Sequence, residues 1–125
     1  MKLLIVDDSF IVRNAIERGA LRHEITEIFQ ACDGVEALEL FERHRPEIVT
    51  MDLTMPRVDG LACLEQIAGM DVGASILVIS ALNSHSIAMK AITLGACGFI
   101  VKPFTPTELD EAFADLIAHA RAGVA

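Results

Sequence analysis

Short apolar runs alternate along the chain with stretches whose apolar residues recur at helical spacing. Lys2 to Val6 reads as a strand, followed by a helix over about Ser9 to Arg22 with Ile11, Val12, Ala15, Ile16 and Gly19 along one side. The pattern returns as Ile25 to Ala31 with Gly34 to His44, Glu47 to Met51 with Asp59 to Ala68, Ser75 to Ile79 with Ser84 to Leu94, and Gly98 to Val101 with Pro106 to Ala120. Turn formers lie at the junctions: Asp33-Gly34, Arg45-Pro46, Asp59-Gly60, Gly95 and Pro103. The first, third and fourth strands are nearly unbroken in Leu, Ile, Val and Met, as in strands covered on both faces. They predict a parallel sheet with helices on each side, a doubly wound α/β fold of five β-α units. The second strand, with Thr26, Glu27 and Gln30, reads as an edge. The small-residue tail Ala118 to Ala125 is expected to carry the last helix and then fray.

The length, 125 residues, fits one domain spanning 1–125 with no output domain attached, and a hydrophobic fraction of 53% supplies a core without a staple. Net charge is −8 and the ten Lys and Arg are scattered, which argues against a nucleic-acid backbone or an acidic membrane surface as partner. No apolar run approaches the roughly 18 residues of a membrane span, and Asp7-Asp8 interrupts the first run where a signal peptide would continue. The expected location is the cytoplasm. Cys32, Cys63 and Cys97 are odd in number and far apart, without C-x-x-C spacing, so each reads as a small buried hydrophobe. The dispersed His23, His44, His85 and His119 read as solvated helix surface rather than a zinc site.

Ligands of an open parallel sheet gather beyond the carboxyl ends of its strands. Here the first strand ends in Asp7-Asp8, the third in Asp52, the fourth in Ser80 and the fifth in Lys102-Pro103. Three converging carboxylates call for a counter-ion, and a hard oxygen-seeking cation such as Mg²⁺ suits them. A carboxylate beside such a cation can attack a phosphoryl group in line, giving an aspartyl phosphate while a lysine neutralises the equatorial oxygens; Asp52 and Lys102 fit these roles. Taken singly, Asp8 or Ser9 could be a helix cap, Lys102 a solvated lysine and Ser80 a turn hydroxyl. The conjunction of all five favours chemistry.

On the acidic pair in LLIVDDS, Asp52 in IVTMDLTMPRVDG, Ser80 in LVISA and Lys102 in GACGFIVKPF, essentially the whole chain resembles the receiver domains of two-component response regulators, above all the stand-alone chemotaxis-type CheY proteins. The resemblance carries with it, rather than any spacing in the chain, the flavodoxin-like (βα)5 fold with strand order 2-1-3-4-5, of which that family is a standard example. It implies Asp52 as phosphoacceptor, Mg²⁺ held by Asp7, Asp8, Asp52 and the main-chain carbonyl of Thr54, and Lys102 paired with the phosphoryl group. Ser80 and Phe99 would form the switch, the hydroxyl moving to the phosphoryl group and the ring turning inward. Phe99 also reads as plain core packing. The Lys102-Pro103 bond is commonly cis in such domains. Thr54 stands where the family often has Asn, and Phe99 where chemotaxis regulators usually have Tyr. A histidine kinase or phosphotransfer protein is the implied donor. The implied output is a downstream protein on the face of helix 4, strand 5 and helix 5, where Ala88 and Ile92 lie one turn apart, with Ile92 equally readable as packed inward. The chain would be a monomer or a phosphorylation-dependent dimer, and a switch rather than an enzyme.

Competing readings fit less well. A haloacid-dehalogenase-type phosphatase, which also forms an aspartyl phosphate, needs an Asp where Thr54 stands. A flavodoxin-like electron carrier is opposed by Asp7-Asp8-Ser9-Phe10 and by the lack of Trp and Tyr. A receiver module of a larger multidomain regulator would share every site residue.

Overall fold

The structure, a computed structural model, describes residues 1–55, 59–70, 73–82 and 84–122. In chain order it contains β1 (Lys2–Val6), α1 (Phe10–Ala20), β2 (Glu27–Ala31), α2 (Gly34–His44), β3 (Ile48–Met51), α3 (Gly60–Ala68), β4 (Ser75–Ser80), α4 (His85–Thr93), β5 (Gly98–Val101) and α5 (Pro106–Ala122). All strands pair in parallel in the order β2-β1-β3-β4-β5, so the expected order stands and β2 is an edge, with β5 at the other. β2 starts two residues later than its apolar run. Thr26 N–H bonds to the Met1 carbonyl just before it, and Ile25 is still in the turn. The fraying expected at the C-terminus falls on residues 123–125, outside the described residues.

Alternation along the strands builds two cores. Leu4, Val6, Val49, Met51, Ile76 and Val78 pack with Phe41 of α2 and Cys63, Leu64 and Ile67 of α3. Leu3, Ile5, Ile48, Leu77 and Ile79 pack on the other face with Ile16 of α1 and Leu109, Phe113, Leu116 and Ile117 of α5. Each such side chain contributes about 1.5–3 kcal/mol on leaving water.

Caps fix where the helices begin, and therefore where the loops of the rim end. Ser9, Asp33, Asp59 and Ser84 each accept an N–H of the following turn, at 3.3, 2.8, 2.8 and 3.2 Å. Thr105 and Glu108 cap α5 reciprocally, each side chain accepting the other's N–H at 3.1 Å. Arg45, left-handed at φ 49°, closes α2 before Pro46.

Three side-chain expectations are corrected. Ile11 is 78% exposed, because the stripe of α1 that meets the sheet runs through Val12, Ile16 and Ala20 and Ile11 lies one residue round the helix from it. Cys32 is exposed in the β2–α2 turn, whereas Cys63 is buried and Cys97 half-buried. The histidines are not simply solvated: His23 Nε2 meets Asp110 Oδ1 at 2.9 Å, His44 stacks on Phe29 at 4.0 Å, and His119 Nδ1 bonds Ser75 Oγ at 2.9 Å. Only His85, at the start of α4, fits the solvated reading. Among the described residues no helix is long and apolar enough to cross a membrane.

Candidate functional site at the carboxyl rim of the sheet

Strand pairing places the acidic residues. Asp7 N–H bonds to the Ala31 carbonyl at 3.1 Å and Asp52 N–H to the Val6 carbonyl at 2.9 Å, so the ladder runs one residue beyond β1 and β3 and brings both residues to one level. Lys102 N–H bonds likewise to the Ser80 carbonyl at 2.9 Å, which carries the lysine across from β5. The crevice lies between β1 and β3, where β1 connects through α1 to β2 on one side and β3 through α3 to β4 on the other, the usual place for a ligand in such a sheet.

Asp7 and Asp52 are buried and Asp8 is exposed, and a carboxylate oxygen of each lies within 4.8 Å of the others. Lys102 Nζ stands 2.6 Å from Asp7 Oδ2 and 3.6 Å from Asp52 Oδ2. The Lys102-Pro103 bond is cis. Asp7 is engaged on every side: Oδ1 accepts from Ser9 N–H at 2.9 Å, and its main-chain carbonyl accepts from an Arg13 guanidinium nitrogen at 2.7 Å. Thr54 N–H donates to Asp52 Oδ1 at 3.3 Å, and its hydroxyl lies 3.3 and 3.4 Å from the two carboxylate oxygens.

Burial raises the Asp52 pKa above the ordinary carboxylate value, and the charge of Asp7 adds to it. Lys102 and the Thr54 hydrogen bonds oppose the rise without cancelling it. Three carboxylates against the Lys102 ammonium, with the Arg13 guanidinium at the Asp7 carbonyl, leave the cluster net negative. The donor set therefore fits a hard divalent cation with oxygen ligands.

The fold brings Asp7, Asp8, Asp52 and Lys102 together, with Thr54 at the mouth. Ser80 is on the rim and buried, but its Oγ accepts from Leu82 N–H at 3.2 Å, so it is held by the β4–α4 loop in this state. Phe99 is three residues short of the rim, half-buried opposite Val78 against the α4 side of the core. Residues 56–58 of the Asp52 motif lie outside the described residues.

Two further residues bear on the site. A Cβ on Gly60 would lie 2.4 Å from the Asp52 carbonyl oxygen and 2.5 Å from Leu53 Cα, so only glycine lets α3 start this close to the Asp52 turn. In the sequence Asp59-Gly60 reads only as a turn. Arg13 is the other, and its one sequence signal is a cation in the first turns of the helix that follows the acidic pair.

A family model, the response regulator receiver domain, matches residues 3–114. The chain belongs to that family. As a receiver domain it is 38% identical over 111 residues to the chemotaxis protein CheY of Bacillus subtilis (strain 168), covering 89% of this chain and 92% of that protein. It superposes with a TM-score of 0.88 and 32% identity on a chain of the CheX-CheY-BeF3-Mg²⁺ complex from Borrelia burgdorferi, covering 94% of this chain and 89% of that one. It is also 35% identical to a probable transcriptional regulator, ycf27, of Porphyridium aerugineum, over 87% of this chain but only 45% of that protein. A receiver domain is a phosphoaccepting signalling switch rather than a classical enzyme, and the acidic cluster is the part of this one suited to that task.

Proposed function

We propose that this receiver domain accepts a phosphoryl group on Asp52 from a phosphohistidine donor, with Mg²⁺ held by Asp7, Asp8, Asp52 and the main-chain carbonyl of Thr54. The observation that carries the reading is a buried carboxylate of raised pKa at the end of the central strand, flanked by two carboxylates and one ammonium. The related Borrelia complex, which contains Mg²⁺ and BeF3, supports the choice of cation. Bound Mg²⁺ supplies positive charge beside the phosphoryl oxygens.

The chain's own groups do the rest. An Asp52 carboxylate oxygen attacks phosphorus, the P–N bond to the donor imidazole breaks, and the departing nitrogen keeps the bonding pair. Lys102 Nζ, already 3.6 Å from Asp52, shifts its main partnership from Asp7 to a phosphoryl oxygen. The Ser80 hydroxyl turns from Leu82 N–H to donate to another, and the Phe99 ring follows inward. The change is read on α4, β5 and α5, where Met89, Ile92 and Val101 are exposed apolar side chains. The exposure of Ile92 supports a docking role over inward packing. A downstream protein binds this face in a chemotaxis-type pathway, with the receiver a monomer or a phosphorylation-dependent dimer. Three free thiols fit a reducing compartment, the cytoplasm. The partial coverage of the ycf27 regulator favours one second reading, in which 1–125 is the receiver module of a longer chain and its output passes to an adjoining domain.

Intact-mass measurement after incubation with Mg²⁺ and acetyl phosphate tests the central claim. One labile phosphoryl adduct is expected, lost in Asp52→Asn and in a chelated sample. A folded wild-type protein that takes no adduct overturns it.

A further inference from the structure

We infer that Arg13 is a positioning residue for the cation site, holding the Asp7–Asp8 turn against edge strand β2 through the Asp7 carbonyl and Gln30. The role rests on the Mg²⁺ site proposed above. One guanidinium nitrogen donates to the Asp7 main-chain carbonyl at 2.7 Å, while Nε donates to Gln30 Oε1 at 3.0 Å. Gln30 is itself fixed, its Nε2 donating to Glu17 Oε1 at 3.0 Å. Gln30 immediately precedes Ala31, whose carbonyl accepts the Asp7 N–H. Both ends of the Asp7 residue are thus tied to the end of β2, the N–H by main chain and the carbonyl through Arg13. The next residue is Asp8, exposed and without a recorded side-chain partner among the described residues, so the direction of its carboxylate depends on the backbone that leads into it.

The two donors that Arg13 uses are set in a fixed planar fork, which a lysine ammonium cannot reproduce. Partners of this kind, one bond removed from a metal ligand, orient the ligand, and their loss commonly weakens metal binding about 10–100-fold. A second effect has the opposite sign. The positive charge of Arg13 repels a cation, so charge alone predicts tighter Mg²⁺ binding once it is removed. The direction of the change therefore separates positioning from simple electrostatics.

The test titrates the full chain with MgCl2 by calorimetry and by thermal shift, in wild type, Arg13→Gln, Arg13→Lys, Gln30→Ala and Arg22→Gln. Arg22 is an exposed arginine whose side chain has no recorded partner among the described residues, so Arg22→Gln controls for lost charge. Arg13→Gln should bind Mg²⁺ about tenfold more weakly. Arg13→Lys should fail to restore wild-type affinity. Gln30→Ala, which alters no charge, should weaken binding in the same direction, and Arg22→Gln should not. Phosphoryl uptake from acetyl phosphate by Arg13→Gln should be slow at low Mg²⁺ and recover at saturating Mg²⁺. Should Arg13→Gln fail to fold, Gln30→Ala decides. Mg²⁺ binding by Arg13→Gln as tight as wild type or tighter, or undiminished in Gln30→Ala, overturns the role while leaving the proposed function intact. A wild type that binds no Mg²⁺ sinks the site and this role with it.

Discussion

Asp52 sits where a carboxylate is costly, buried and beside the charge of Asp7, with only part of that cost offset by Lys102 and Thr54. Its folded-state pKa lies above its unfolded one, so between the two values the folded chain holds more proton and stability falls as pH rises. Above the folded value the penalty is complete. In chelator, Asp52→Asn should therefore be more stable than wild type at neutral pH, by on the order of 1–3 kcal/mol. Urea unfolding of both proteins in EDTA across the acid range should show the gap widening from low pH to neutral. A constant gap would assign the effect to packing instead. The strand ends made Asp7, Asp8, Asp52, Ser80 and Lys102 legible in the sequence, because a parallel sheet delivers its carboxyl ends to one rim. Arg13 and Gln30 were not legible as a pair. Their meaning depends on a main-chain carbonyl and on a contact between α1 and β2 that no spacing announces.

For the elements, caps and turn formers gave the boundaries to within two residues, since Ser9, Asp33, Asp59 and Ser84 each satisfy an N–H that starts a helix. Which side of a helix faces the sheet was harder to read. Phe10, Ile11 and Val12 are consecutive and all apolar, so the pattern alone did not distinguish the buried Val12 side from the exposed Ile11 side. The tightest junction is α3 on the Asp52 turn. Gly60→Ala should cost about 1–3 kcal/mol from overpacking. The atoms it presses on are the Asp52 carbonyl and Leu53, so phosphoryl uptake should slow as well; unfolding curves and intact-mass time courses measure the two effects. On α4, Ile92→Glu should leave both stability and phosphoryl uptake near wild type, because Ile92 is 45% exposed, and should abolish capture of the downstream protein. A loss of stability as large as that of a core substitution would instead show that Ile92 packs inward.

Across the whole molecule, a buried and an exposed cysteine together report opening. Cys32 is exposed and should react with a maleimide in the native state. Burial pushes the Cys63 thiol up to about 11 and shields it between α3 and the sheet, so it should react only through global unfolding. Mg²⁺ that binds the folded state alone then slows Cys63 labelling by mass action and leaves Cys32 labelling unchanged. Equal slowing of both would point to an effect on the reagent rather than on the fold. The plan of one sheet covered by helices on both faces was legible at this scale because Leu, Ile, Val and Met fill β1, β3 and β4 almost without interruption.

The position of β3 has one more consequence. It is the middle strand of five, every residue in it is buried, and Asp52 leaves directly from its end. A covalent load placed there is attached to a strand buried along its whole length, at the middle of the sheet, and has little freedom to be absorbed by its own attachment point. The compliance must lie in what surrounds it: the ammonium, the hydroxyl and the loops of the outer strands. Displacements measured from the Asp52 Cα would thus share a nearly stationary origin, a natural reference for probes of the transmitted motion.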